Sequence, residues 1–206
     1  MDIETMPRAD AASFISVKAP KTYKDQEKID AYIKEKTEEE IKFAALSAET
    51  CQVAAVGWTA NGSDFTTVES LTDEAHVISS FWDHLRKLSF QGTAYTLVTF
   101  NGSRFDIPVL IRRSWCLGIE PVKLFSGRYF DSSKTCDIME VYQCGDRQAS
   151  ISLGRLSKLL GVGEKLGSGA DYAGLLATDP DKAKEYHIND LFLTWHCGVK
   201  MGVIQP

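Results

Sequence analysis

The sequence predicts an α/β fold, and three stretches carry that expectation. "CQVAAVGWTANGSDFTTVES" places an apolar strand (52–59), an Asn61-Gly62 turn and an alternating strand (65–69) in succession, which is the signature of an antiparallel hairpin. "TDEAHVISSFWDHLRKL" then sets Val77, Ile78, Phe81, Trp82 and Leu85 at helical spacing, giving one apolar face able to cover a sheet. "AYTLVTFNGSRFDIPVLIRRSWCLG" reads as strand, tight turn and helix. With 206 residues, 44% of them hydrophobic and 25% charged, the chain is long enough for one sizeable core, and a single domain over 1–206 is expected.

Before the hairpin, residues 25–46 carry Ile29, Ile33 and Ile41 on a helical period, with Asp25 as N-cap and charge on the other faces, so a surface-lying helix is expected. Thr72 is read as the cap of the sheet-covering helix, and Gly118 as the left-handed stop of the helix after it. A short strand is expected at 135–141. "SLGRLSKLLGVG" gives a helix capped by Ser152, with Leu153, Leu156, Leu159 and Leu160 as its buried stripe and Gly161 as its stop. A glycine-rich connection follows. Asp179 and Pro180 open a last helix by the cap-then-proline rule.

A net charge of −5 argues against a protein that coats nucleic acid by bulk electrostatics, although clustered acidic residues contribute to that charge and a local basic strip is compatible with it. One such strip is Arg112, Arg113, Lys123 and Arg128 around Trp115 and Phe125; the alternative is an exposed helix face with a buried Trp115. The five cysteines are an odd count with no C-x-x-C pair, and are read as buried reduced thiols. No apolar run approaches the roughly 20 residues of a membrane span, and the start lacks the basic and apolar regions of a signal peptide, so a cytoplasmic protein with no membrane partner is expected.

Sorted by orientation, the carboxylates converge on three places. In "MDIET", Asp2 and Glu4 would share one face of a strand and could grip the same hard cation, or belong to a solvated terminus. Asp106 ends a strand before Pro108, where it could cap the following helix or face a metal. In "YHIND", Tyr186 and Asp190 are one helical turn apart on one face, where surface or capping roles are the plain alternative.

Taken together and in order, "DIET", "TFNGSRFDIPVL" and "YHIND" resemble the three motifs of the DEDD-superfamily 3′–5′ exonucleases, in the tyrosine-bearing subgroup, and most closely the predicted exonucleases related to the proofreading domain of family B DNA polymerases. "DIMEVY" followed by "SLGRLSKLLGVG" is also similar to this group between its second and third motifs. The resemblance implies a ribonuclease H-like three-layer fold, with a mixed central sheet flanked by helices. It implies Asp2, Glu4, Asp106 and Asp190 as ligands of two Mg²⁺ or Mn²⁺ ions, with Tyr186 orienting the attacking water and His187 outside the pattern. Asn101 and Phe105 are candidates for holding the terminal nucleotide, Phe105 by stacking unless it belongs to the core. The implied substrate is a single-stranded or frayed 3′ end of DNA or RNA, in replication or repair, with a polymerase or replication protein as partner in trans. The alternative is a catalytically weak nucleic-acid-binding or partner-binding module of the same fold. Family members hold the first motif on a hydrophobic strand, and since only Met1 precedes Asp2 here, that strand is expected to be short on the side before Asp2.

Overall fold

The computed structural model describes residues 1–126 and 129–205. Its elements run β1 (Asp2–Pro7), α1 (Gln26–Lys42), β2 (Cys51–Thr59), β3 (Phe65–Glu69), α2 (Glu74–Phe90), β4 (Leu97–Thr99) and α3 (Asp106–Leu117). They continue with β5 (Phe125–Ser126), β6 (Tyr129–Phe130), β7 (Thr135–Asp137), α4 (Ile138–Gln143), α5 (Leu153–Leu159), α6 (Tyr172–Thr178) and α7 (Pro180–Lys200).

The fold is mixed α/β, but the strands do not join in one central sheet. β1, β2 and β3 form an antiparallel sheet with β2 in the middle, β4 and β7 form a parallel pair, and β5 and β6 a small antiparallel ribbon. A bond from Met1 Nα to the Val98 carbonyl, 2.8 Å long, links the first sheet to the second. The expected strand at 94–100 contracts to Leu97–Thr99, and the one at 135–141 to Thr135–Asp137, because Asp137 caps α4 by accepting the Met139 N–H and turns the chain into a helix.

Helices cover both faces of the first sheet. On one, Val77, Ile78, Phe81, Trp82 and Leu85 of α2 meet Ile3, Val53 and Val56 together with Ile107, Leu110 and Ile111 of α3. Each of the five α2 side chains is at most 3% exposed, and burial of this kind stabilises by about 1.5–3 kcal/mol per side chain. On the other face Ala54 and Ala55 meet Tyr172 of α6 and Ala183 and Tyr186 of α7. A bulge in β2, where β1 steps from Glu4↔Ala55 to Thr5↔Val53, leaves Ala54 unpaired with β1.

Several caps agree with the sequence: Asp25, Ser152 and Asp179 each accept a backbone N–H of their helix, and Gly118 and Gly161 stop helices at φ 70° and 66°. Others do not. Asp73 caps α2 in place of Thr72, since its carboxylate reaches the His76 N–H. Leu159 is 67% exposed and leaves the buried stripe of α5, because the inward face of this helix is the one that carries Leu153, Leu156 and Ser157. α1 buries none of its residues, as a surface-lying helix should.

Among the described residues, the basic strip loses Arg113. Arg113 points into the core, where Nε and Nη2 lie 2.9 and 2.7 Å from the two oxygens of the buried Glu74 carboxylate. Glu74 also accepts the Val53 N–H, so one ion pair ties α2, α3 and β2 together. Arg112 and Trp115 are exposed on the opposite face of α3, and Arg128 lies outside the described residues. All five cysteines are free; Cys51 and Cys197 are buried, but Cys116 and Cys144 are exposed. Among the described residues no helix is long and apolar enough to cross a membrane.

Candidate active site

Strand alternation puts Asp2 and Glu4 on one face of β1, while Ile3 between them enters the α2 and α3 side of the core. α7 crosses the Asp2 and Glu4 face, opposite α2 and α3, and brings Tyr186, His187 and Asp190 down onto it, all three buried. Such close approach needs Gly57, the β2 partner of Asp2: a Cβ there would stand 2.7 Å from Leu191 Cδ1 and 3.0 Å from His187 Cε1. Asp2, Glu4 and Asp190 each offer a carboxylate oxygen, and these three lie within 4.8 Å of one another.

Asp106 reaches the same place by a different route. It sits at the first position of α3 and does not cap it, because Phe105 occupies the N-cap and makes no side-chain cap bond. Its Oδ1 instead accepts the Ile3 N–H at 3.1 Å, so the carboxylate is pinned to the backbone between Asp2 and Glu4. Asp2, Asp106 and Asp190 line a cleft of 330 Å³ shared with Asn101 and Phe105. Phe105 serves both readings at once, packing its ring partly against the core while lining this cleft. Asn101 takes a left-handed backbone, φ 60°, in the turn before α3.

Electrostatics at this spot are costly. Burial, then the charges of Asp2 and Asp190, hold the Glu4 carboxyl well above the usual carboxylate range. Burial followed by Asp2 does the same to Asp106, and burial and Asp2, against the pull of Lys165, raise the Asp190 carboxyl. Burial, then Glu4 and Asp190, push the Tyr186 phenol upward, so it stays protonated. Four polar atoms here, Tyr172 Oη, Tyr186 Oη, His187 Nδ1 and Asp190 Oδ1, are buried without a hydrogen-bond partner. Crowded carboxylates, all-oxygen donors and unpartnered polar atoms fit a hard divalent cation such as Mg²⁺ or Mn²⁺.

Four neighbours escaped the reading of the sequence. Lys165 Nζ lies 2.6 Å from Asp190 Oδ2 and 5.2 Å from the Tyr186 ring centre. His187 Nε2 stands 3.3 Å from both the Asp2 carbonyl oxygen and Asp2 Oδ2, so a residue set aside as outside the third motif touches the first. Tyr172 packs its ring 6.0 Å from that of Tyr186. Asp137 accepts the N–H groups of Asn101 and Ser103 at 2.7 and 2.9 Å and so fixes the turn that presents Asn101. Gly167 and Gly169 let the connection bearing Lys165 run close over the site, where a Cβ would meet the Tyr186 ring and Glu4 Oε2 at 3.3 Å. The glycines around Lys165 were the available signal: a charged residue in a glycine-rich run is one whose backbone passes close to something.

Residues 42–205 match a family described as predicted 3′–5′ exonucleases related to the exonuclease domain of PolB. That span includes Asn101, Phe105, Asp106, Tyr186 and Asp190, whereas β1 and most of α1 lie before it. No curated protein matches the sequence.

Proposed function

We propose, from the premise that this chain belongs to the family of predicted 3′–5′ exonucleases related to the exonuclease domain of PolB, that Asp2, Glu4, Asp106, Tyr186 and Asp190 form its catalytic centre. The observation that carries the reading is the convergence of three carboxylates from the two ends of the chain beside the cleft of Asp106. Residues 1–206 then act as a single domain of the tyrosine-bearing DEDD type. Its layered helices on both sheet faces support a ribonuclease H-like arrangement.

Asp2, Glu4, Asp106 and Asp190 would hold two Mg²⁺ or Mn²⁺ ions, which supply an acidified water and charge to balance the phosphate. Tyr186, kept protonated, orients the attacking water by its phenol and does not act as a base. Lys165 keeps a positive charge beside Asp190, facing the cleft that the phosphate enters. Phe105 offers its ring to the terminal base and Asn101 its amide to the sugar or base. The cleft lined by Asp2, Asp106, Asp190, Asn101 and Phe105 would admit an unpaired 3′ end, so single-stranded or frayed ends are the substrate this reading favours. Work beside a polymerase or replication protein is the cellular setting this reading favours.

The test uses 5′-labelled single-stranded DNA and RNA with Mg²⁺ or Mn²⁺. Products shortened one nucleotide at a time from the 3′ end are expected, and Asp106→Asn should abolish them. If the wild-type protein shortens neither polymer, the catalytic reading fails; 3′-end binding indifferent to chelator would then mark a non-catalytic binding module.

A further inference from the structure

The four carboxylates of the candidate centre are not held alike. Asp106 Oδ1 accepts the Ile3 N–H, and Asp190 Oδ2 accepts from the Lys165 ammonium. Glu4, 6% exposed, is confined by burial. Asp2 has the freest side chain of the four, 21% exposed. Among the described residues its carboxylate has one polar partner, the imidazole of His187.

Packing holds that imidazole in one orientation. The ring is 0% exposed, meets Tyr172 edge-on with centroids 5.9 Å apart, and lies over Gly57, where a Cβ would stand 3.0 Å from Cε1 and 3.1 Å from Nε2. Nε2 is 3.3 Å from the Asp2 carbonyl oxygen and 3.3 Å from Asp2 Oδ2. A carbonyl and a carboxylate offer lone pairs alone, so the ring proton belongs on Nε2 and is shared between them. Such sharing closes a small ring through Cα, Cβ and Cγ of Asp2, which selects one staggered setting of its side chain. Nδ1 is buried without a partner, so Asp2 is the one hydrogen-bonding partner of the imidazole. Where packing alone is needed, an apolar ring fills the same space without burying two polar nitrogens.

We propose that His187 is a positioning residue, whose Nε2–H orients the Asp2 carboxylate toward the oxygens of Glu4 and Asp190, so that the cluster meets a divalent cation with its ligands already in place. The assignment rests on the reading of Asp2 as a metal ligand. Helical spacing serves it: Tyr186 and His187 lie four and three positions before Asp190, so about one turn of α7 delivers the phenol, the imidazole and the acid to the same strand.

His187→Gln and His187→Phe separate this role from packing. The Gln amide nitrogen can reach the place of Nε2, whereas Phe fills the space and has no donor. In calorimetric Mn²⁺ titrations His187→Phe should lose roughly 10–100-fold in affinity and His187→Gln less than about threefold. A second readout needs no change at position 187. In chelator, long-range ¹⁵N–¹H spectra of the chain's 4 histidines should show His187 with its proton on Nε2, and Asp2→Ala should move that ring's signals. Equal Mn²⁺ affinity in all three proteins, or equal loss in both variants, overturns the proposal. A ring protonated on Nδ1 alone, or signals indifferent to Asp2→Ala, also overturns it. Should the wild type bind no Mn²⁺, the proposal falls together with the metal reading. Should the variants differ as expected while the wild type releases no nucleotide, the positioning role stands and the exonuclease reading alone fails.

Discussion

Lys165 Nζ lies 2.6 Å from Asp190 Oδ2, so a tethered cation stands at the edge of the carboxylate cluster. An incoming divalent ion competes with it for Asp190. Lys165→Met should therefore tighten Mn²⁺ binding, by roughly tenfold or about 1.4 kcal/mol, when titrated calorimetrically. Nucleotide release should fall in the same variant, since the positive charge facing the phosphate is gone. Unchanged Mn²⁺ affinity would mean that the ammonium does not compete for that carboxylate.

The three raised carboxyls set a pH dependence with a definite sign. Because Glu4, Asp106 and Asp190 hold their protons more tightly when folded, the folded state binds protons that the unfolded chain releases. Their contribution to stability is full below the unfolded value, near pH 4, and is lost as pH rises through the elevated folded values. In chelator, the melting temperature should fall across that window as pH rises, and Glu4→Gln should flatten the fall. Mn²⁺ should reverse the trend, since its ligands must be deprotonated. Identical profiles for wild type and Glu4→Gln would count against the burial of charge at this position.

Asp137 carries more hydrogen bonds than its place outside the acid cluster suggests. Its carboxylate accepts from Asn101 N, Ser103 N, Ser103 Oγ and Met139 N. Asp137→Ala should cost about 1–3 kcal/mol in urea denaturation, because it leaves several partly buried donors without their acceptor. It should also raise KM for oligonucleotide more than it lowers kcat, as the loosened turn carries Asn101. A variant as stable as wild type would show that water replaces the carboxylate.

Gly57→Ala tests how tightly α7 is laid on the sheet. The added methyl meets Leu191 and His187, and overpacking of this kind costs about 1–3 kcal/mol. If α7 lifts to relieve the clash, Tyr186 and Asp190 move away from Asp2 and the Mn²⁺-induced melting shift shrinks. Gly174→Ala is the control, since a Cβ there meets nothing within 4 Å and alanine favours the helix.

Much of this arrangement was legible in the sequence, for local reasons. The hairpin rests on alternation and Asn61-Gly62, the inner face of α2 on helical spacing, and α7 on Asp179 and Pro180; all are properties of neighbours along the chain. Errors arose where a distant partner decides. Arg113 resembles its basic neighbours until Glu74, on another helix, draws it inward. Lys165 pairs with an acid 25 positions away, and Asp106 bonds to Ile3 across 103, so no periodicity announces either. Division of the sheet was equally hidden, because strand order depends on which edges meet.

The long excursion between β1 and β2, which contains α1, bears on how the protein folds. β2, β3 and α2 are consecutive and can assemble from nearby contacts, whereas Asp2 must find Gly57 and then His187, 185 residues away. Closing loops of that length is slow and costs chain entropy before any contact repays it. The acid-bearing strand is therefore expected to dock after β2, β3 and α2 have assembled. A single backbone cut in the exposed segment before β2 would leave Asp2 and Glu4 held only by the noncovalent contacts of β1, its pairing with β2 and the burial of Met1 and Ile3, so half of the acid set would then depend on strand docking alone.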